Sequence, residues 1–339
     1  MNARAPLKII ALGNCWENVH PDVTYAPQGF GGYPYWMVFT PYPSGNDHLE
    51  NPTIRASYDG IYWERVPGTA DPLVPAPGTL GLHHADPEIV YSLGRLYLIY
   101  LTIQNRSHEV TFNAMSCKSD LRWSEPQVIH EDVGAVSPTF SFEGNTWRVW
   151  FIRTNASNGN SGCSLVHREG SDLASLQNER PCHLEIPHHV PWHVDIQRVK
   201  EGYEALIAAF PHGTDNSRTR LFHLFSEDGL TFSLSSKNPV IAPSFLGWDN
   251  RMIYRSCFLK DPDEDYRIWY SASSWGNHFG IGLLQGSLYN LSEPPAPLAS
   301  MPRYVVRFPR EVVERLKYEA SRHLPSPFLS IARRIYHVI

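Results

Sequence analysis

Three short segments of the chain place a histidine two residues before an aspartate, at points where a strand-like run begins. These segments are His20-Pro21-Asp22, His84-Ala85-Asp86 and His193-Val194-Asp195. Because residues i and i+2 of a strand project from the same face, the imidazole and the carboxylate of each segment would face one side. If the three strands converge on one axis, these side chains line a single cavity in which proton-transfer chemistry is possible.

Several carboxylates around one pocket cannot all ionise freely, so the pattern predicts at least one raised pKa. Glycoside hydrolysis needs this asymmetry, with one carboxyl group protonated to assist the leaving oxygen and another ionised as base or nucleophile. We therefore predict catalytic roles for Asp22, Asp86 and Asp195.

The strands that must position these residues come from a repeated unit. Each expected start is followed by a strand, a turn and a second strand rich in aromatic residues. The second strands are predicted at residues 35–39, 96–100, 147–151, 203–207 and 266–270. If Asp22, Asp86, Ser137, Asp195 and Arg255 are equivalent points, their spacings are 64, 51, 58 and 60 residues. Four-stranded repeats with this period are typical of a β-propeller.

The repeats predict an all-β fold, a five-bladed β-propeller with a short helical C-terminal extension. The propeller is predicted over residues 1–302, with blades starting near residues 19, 83, 135, 192 and 252. Residues 303–339 are predicted to add a closing strand, a role that residues 8–12 could also fill, and then a basic helical tail of net charge +5. The helices of this tail could pack on the propeller, or they could form a peripheral membrane or oligomer contact.

This layout resembles the five-bladed β-propeller glycosidases, the group that includes arabinanases, β-xylosidases, fructosidases and mannoside phosphorylases. The resemblance implies a carbohydrate substrate and catalytic carboxylates on the innermost strands. Asp22 matches the first-blade aspartate of that group, and Asp86, followed by proline, matches the second. The third blade opens with Val136-Ser137-Pro138-Thr139 and lacks the glutamate of the group. Asp195, or Glu50 in the connection between the second and third strands of blade one, is the candidate for the missing acid.

A second set of residues is predicted to bind substrate near the blade starts. It consists of His20, His84, His193, Arg255, Trp192, Trp248 and Tyr254. Arginine can hold a carboxylate or a phosphate, and aromatic rings suit sugar faces. The prediction is a glycoside hydrolase. The alternatives are a glycoside phosphorylase, with Arg255 and a histidine binding phosphate, and a non-catalytic carbohydrate-binding propeller.

Composition limits the other possibilities. The chain has 339 residues, of which 42% are hydrophobic and 19% charged, and its net charge is -5, which argues against a nucleic-acid partner. The apolar run at residues 9–12 is too short for a signal peptide or a membrane span, so a cytoplasmic location is expected. The five cysteines lack zinc-site or disulfide spacing, and the adjacent histidine pairs His83-His84 and His188-His189 would point opposite ways on a strand, where they rarely bind one ion together. We therefore predict no cofactor and no catalytic metal, with a structural divalent ion as the alternative.

Overall fold

The computed structural model describes residues 4–154, 162–261 and 264–293. Its strands form five successive sheets, which we number as blades 1 to 5. Blade 1 contains β1 (Asn18–Phe30), β2 (Tyr33–Pro41) and β3 (Thr53–Ser57). Blade 2 contains β4 (Leu82–Ser92), β5 (Arg95–Gln104), β6 (Glu109–Cys117) and β7 (Gln127–Val133). Blade 3 contains β8 (Ala135–Glu143), β9 (Thr146–Arg153), β10 (Ser164–Gly170) and β11 (Gln177–Pro181).

Blade 4 contains β12 (His183–Glu185), β13 (His189–Val199), β14 (Gly202–Pro211), β15 (Arg220–Ser226) and β16 (Thr231–Leu234). Blade 5 contains β17 (Met252–Lys260), β18 (Tyr266–Ser273) and β19 (Phe279–Gly286). Neighbouring strands pair antiparallel, except that β12 lies parallel to β16 at the outer edge of blade 4. The described helical segments are short 3-10 turns at Leu12–Asn14, Pro43–Gly45, Asp47–Leu49, Leu173–Ser175 and Asn216–Arg218. Within the described ranges, no helix is long and apolar enough to span a membrane.

The core lies between the blades rather than within any one of them. Each of five hydrophobic clusters joins one blade to the next, and the cluster between blades 5 and 1 closes the ring. The second strands are buried on both faces, as in Tyr33–Pro41, where Trp36 to Phe39 are fully buried. Their β-branched and aromatic residues fit this position because they pack against both neighbouring sheets. The predicted five-bladed propeller is confirmed.

The N-terminal segment lies against the last blade. The Leu7 backbone N–H donates to the Ile281 carbonyl at 2.7 Å, within β19. The Ile10 carbonyl accepts from the Arg55 guanidinium at 2.6 Å, and the Ile9 carbonyl accepts from Asn18 at 2.9 Å. The N-terminal segment therefore ties blade 5 to blade 1. The predicted closing strand and helical tail at residues 303–339 lie outside the described residues.

The innermost strand of every blade has a β-bulge near its start. The pairing register shifts between Val19 and Asp22 in blade 1, and at the corresponding place in the other four blades. Three residues at these bulges have positive φ: His20 at 53°, Asp86 at 47° and Ser137 at 50°. A bulge re-aims the side chains of its strand. Here it turns two residues per blade toward the axis.

These residues form two layers around the axis. We name as the upper ring the residues His20, Asp86, Ser137, His193 and Arg255. We name as the lower ring the residues two positions later, namely Asp22, Glu88, Thr139, Asp195 and Cys257. This arrangement corrects the equivalence predicted from sequence, which treated Asp22, Asp86, Ser137, Asp195 and Arg255 as one set. In the structure Asp86 is equivalent to His20, and the blade 2 equivalent of Asp22 is Glu88.

Hydrogen bonds between neighbouring blades support this layering. In the lower ring, Asp22 accepts from the Ile89 N–H at 2.6 Å and Asp195 accepts from the Phe258 N–H at 2.9 Å. In the upper ring, Asp86 accepts from the Ser137 N–H at 2.7 Å. Each acceptor lies one blade before its donor, so both rings connect successive innermost strands.

Candidate active site

The upper ring brings together two histidines and one aspartate. His20 Nε2 lies 3.5 Å from Asp86 Oδ1, and His193 Nδ1 lies 3.7 Å from the same oxygen. One ligand atom from each of the three residues lies within 4.8 Å of the others, and all three side chains are buried. His20 Nε2 and both ring nitrogens of His193 have no hydrogen-bond partner among the described residues. Buried polar nitrogens without partners are costly, so the chemistry of this donor set fits a divalent metal ion.

The other nitrogen of His20 is held from the opposite side. His20 Nδ1 lies 3.2 Å from Thr40 Oγ1 and 3.1 Å from Glu50 Oε2. A proton on Nδ1, shared with these oxygens, leaves the lone pair of Nε2 directed toward Asp86. A carboxylate in this position fixes the orientation and tautomer of a metal-binding histidine.

The charges of the upper ring are set by burial and by neighbours. Burial alone raises the pKa of Asp86, but the two histidines and Arg255 outweigh it and hold that pKa below its ordinary value. Burial lowers the pKa of His193 well below the ordinary value, so its imidazole is neutral. Burial raises the pKa of Glu50, with His20 acting in the opposite direction. One charged carboxylate and a neutral imidazole suit a cation.

Arg255 also belongs to the upper ring, and both Nη atoms of its guanidinium donate to protein groups. Its Nη1 donates to Asp86 at 2.9 Å, and its Nη2 donates to Glu88 and, at 3.0 Å, to the Pro138 carbonyl. The side chain is 1% exposed. The structure therefore corrects the prediction that Arg255 binds substrate, because its guanidinium links blade 5 to blades 2 and 3.

The lower ring contains three carboxyl groups. Burial raises the pKa of Asp22 to about 6 and that of Asp195 to about 7, and it also raises the pKa of Glu88 well above its ordinary value. Asp22 and Asp195, predicted to be catalytic, lie one layer below Asp86 and accept backbone N–H groups of the next blade. This placement favours a structural role, because the upper ring lies between them and the loops that carry Glu50.

Aromatic rings form one side of the site. Tyr254 stacks on His20 with ring centroids 5.2 Å apart, and it meets His193 edge-on at 4.6 Å. Trp192 also meets His193 edge-on, at 5.7 Å. Tyr254 and Trp192, both predicted to bind substrate, therefore lie next to the histidines, where they limit the rotation of the imidazoles.

Two other predicted substrate-binding residues do not reach the site. His84 lies 3.1 Å from Thr102 Oγ1 through Nδ1 and 3.1 Å from the Pro75 carbonyl through Nε2, so both nitrogens contact protein groups. Trp248 is 3% exposed and stacks on Tyr270 in the core between blades 4 and 5. Both predictions are corrected. The histidine of the blade 2 triplet precedes the bulge, whereas those of blades 1 and 4 belong to the upper ring.

Sequence reasoning missed several residues around the site. Thr40 lies near the end of β2 beside Glu50, and His83 is close enough for its charge to lower the pKa of Glu50. Glu88 of the lower ring pairs with Arg255 of the upper ring. The i, i+2 spacing in Asp86-Pro87-Glu88 was a usable signal for Glu88, since it repeats the spacing of the histidine–aspartate segments.

Comparison with known proteins agrees with this fold. No protein-family model matches the sequence. The chain is 26% identical over 311 residues to the A type blood N-acetyl-alpha-D-galactosamine deacetylase of Flavonifractor plautii, covering 75% of this chain and 40% of that protein. The chain thus spans less than half the length of this curated relative.

Solved structures with the same architecture include two informative examples. A crystal structure of an N-acetylgalactosamine deacetylase from F. plautii, in complex with blood group B trisaccharide, aligns with a TM-score of 0.76 at 20% identity, covering 84% of this chain and 95% of that one. A thermostable family-43 glycoside hydrolase aligns with a TM-score of 0.61 at 12% identity, covering 89% and 98%. The chain therefore has the five-bladed β-propeller fold that family-43 glycoside hydrolases adopt, as the sequence resemblance predicted.

Proposed function

We propose that this protein is a metal-dependent carbohydrate hydrolase that removes the acetyl group from an N-acetylated sugar. The observation that carries the proposal is the convergence of His20 Nε2, His193 Nδ1 and Asp86 Oδ1, two of which are buried nitrogens without a partner among the described residues. Three protein ligands with a further position open is the pattern of hydrolytic metal sites. The relative that is 26% identical is named as a deacetylase, which supports this reaction.

In this proposal His20, Asp86 and His193 hold the ion. A divalent ion bound there supplies Lewis-acid polarisation of the acetyl carbonyl and lowers the pKa of water. Tyr254 and Trp192 restrict the two imidazoles. The sequence predicted no cofactor. We propose a bound divalent ion instead, because two imidazole nitrogens and a carboxylate oxygen form a suitable set of ligands.

Glu50 is the carboxyl group that we assign to proton transfer. It follows the 3-10 turn Asp47–Leu49 and lies 3.1 Å from His20 Nδ1 of the upper ring, whereas Asp22, Glu88 and Asp195 belong to the lower ring. In amide hydrolysis the oxygen of water bonds to the acetyl carbon and the C–N bond breaks. Glu50 takes the proton that water loses and returns it to the departing amine, and acetate is released.

Glycoside hydrolysis, the prediction from sequence, is the second candidate. It is favoured by the fold and by the pairing of Asp86, whose pKa is held low, with Glu50, whose pKa is raised. Against it, blade 3 has Ser137 and Thr139 in the two rings and supplies no carboxylate to them. The glycoside phosphorylase alternative required Arg255 to bind phosphate. The guanidinium of Arg255 instead donates to Asp86, Glu88 and a backbone carbonyl, which argues against this alternative.

The products separate the two reactions. Incubation with an oligosaccharide that ends in N-acetylgalactosamine should release acetate and leave the glycosidic bonds intact, as measured by enzymatic acetate assay and mass spectrometry. New reducing ends without acetate would instead establish a glycosidase.

Variants of the proposed ligands test the site itself. Asp86→Asn and His193→Gln should each reduce acetate release by at least about a hundredfold, since they weaken the binding of the ion and alter its geometry. His84→Gln is the matched control and should retain the parental rate, because His84 faces Thr102 and Pro75. Loss of activity in all three variants, or in none, would contradict the assignment.

A further inference from the structure

The rim of the propeller above blades 1 and 5 carries an exposed aromatic surface. Trp16 lies just before the buried start of β1 and is 42% exposed. Its ring lies 6.1 Å from the ring of His278, at an interplanar angle of 31°. His278 ends the loop between β18 and β19. Both residues therefore lie at the same end of the propeller as the upper ring.

The loops that carry these rings are fixed to each other. Glu17 accepts from the Ser44 N–H at 2.6 Å and pairs with His278. Asn277 donates to the Ser44 carbonyl at 3.1 Å and accepts from Arg251 at 2.9 Å. Because loops of blades 1 and 5 are tied at several points, the surface is preorganised, which lowers the entropic cost of binding a ligand.

A series of ring contacts begins at Phe279, the chain neighbour of His278, and ends at the candidate active site. Phe279, which follows His278, meets Tyr42 edge-on at 4.9 Å. Tyr42 is parallel to Tyr254 within 10°, with centroids 6.5 Å apart, and Tyr254 stacks on His20 at 5.2 Å. Ring contacts therefore lead from the residue next to His278 to His20 of the upper ring.

We propose that this rim is a sugar-binding subsite for the residues of a glycan that extend outward from the reacting sugar, so that the substrate is an oligosaccharide. The exposed part of the Trp16 ring suits the C–H face of a sugar ring. His278 beside this ring, with Arg251 and Asn277 on the adjoining loops, supplies polar groups that can contact sugar hydroxyls. The proposal rests on the proposed function for the position of the reacting sugar.

The test compares a short and a long ligand. Isothermal titration would measure the Kd of Trp16→Ala and of the parental protein for N-acetylgalactosamine and for a trisaccharide that ends in it. The parental protein should bind the trisaccharide more tightly. Trp16→Ala should weaken trisaccharide binding roughly tenfold, as expected for an aromatic contact residue, and should leave binding of the monosaccharide unchanged.

Leu80→Ala is the matched control, because Leu80 is a 95% exposed apolar residue in the segment that precedes β4 of blade 2. It should change neither Kd. Equal binding of both ligands by the parental protein, or an equal effect of Trp16→Ala on both, would overturn the subsite. Failure of the proposed function looks different: the trisaccharide preference and its loss in Trp16→Ala persist while no acetate is released.

Discussion

At the scale of single residues, Arg255 shows how a buried charge can serve a site without contacting substrate. Its Nη1 donates to Asp86, and its Nη2 donates to Glu88 and to the Pro138 carbonyl. A lysine side chain keeps the positive charge, but its single ammonium nitrogen cannot donate to these groups in the geometry of the planar guanidinium. We expect Arg255→Lys to weaken Zn²⁺ or Mn²⁺ binding by about ten- to a hundredfold, as for other groups that orient a metal ligand.

Titration with the metal alone measures this effect and needs no substrate. Arg251→Lys is the control, since Arg251 contacts Asn277 on the rim and should leave metal affinity unchanged. A folded Arg255→Lys protein that binds the ion as tightly as the parent would show that Arg255 contributes only charge.

The residue types of the candidate site could be predicted from the sequence, but the position of each residue along the propeller axis, in the upper or the lower ring, could not. His20, Asp86, His193 and Glu50 all stand out because their types and their positions near strand starts or in the adjoining loop suit chemistry. Their layering depends on β-bulges, which insert residues into each innermost strand and leave no clear sequence signal. The predicted blade starts were therefore two residues out of register in blades 2, 3 and 5, and the error in blade 2 placed His84 in the cavity and omitted Glu88.

At the scale of structural elements, the Asp-Gly turns connect one blade to the next. Gly229 ends such a turn with φ +74°, and its carbonyl accepts from Trp150 Nε1 of the preceding blade at 2.7 Å. A Cβ at this position would lie 3.1 Å from Tyr203 and 3.2 Å from Trp150. Gly229→Ala should lower the free energy of unfolding by roughly 2–4 kcal/mol, combining the strain of positive φ with crowding of the inter-blade contact.

Gly213→Ala isolates the backbone part of that cost. Gly213 has φ +72°, and no neighbouring atom lies within 4 Å of the position that a Cβ would take, so only strain of about 1–2 kcal/mol is expected. Urea unfolding of both variants measures the difference. Equal losses would show that the turn does not couple neighbouring blades.

At the scale of the whole molecule, the fold could be predicted because the repeat is redundant. Five buried second strands rich in aromatic and β-branched residues give the period even though the starts of blades 2, 3 and 5 are misaligned by two residues. The closure of the ring was predicted only as two alternatives, residues 303–308 or residues 8–12, because the contact between Leu7 and Ile281 joins segments at opposite ends of the described chain. Such long-range pairing depends on the geometry of the closed ring rather than on any local pattern.

The stability of the closed ring should depend on pH through a carboxylate between blades 4 and 5. Glu204 of β14 accepts from Lys260 at 2.9 Å and from Tyr266 at 2.8 Å, and its side chain is 8% exposed. Burial by itself raises the pKa of Glu204, but the interactions with His223, Lys260 and Tyr266 outweigh it and lower that pKa to about 2. A lowered pKa in the folded state stabilises the protein above the unfolded-state pKa of about 4.5. This contribution, at most roughly 3 kcal/mol, should therefore be lost as the pH falls from about 4.5 to 2.

Chemical unfolding at several pH values measures this loss. Glu204→Gln should lose less stability than the parent over that interval, because the glutamine side chain has no proton to gain. Glu201→Gln is the matched control, since Glu201 is 76% exposed in the adjacent turn and its variant should follow the parental curve. Parallel curves for Glu204→Gln and the parent would mean that the junction between blades 4 and 5 does not control acid unfolding of the propeller.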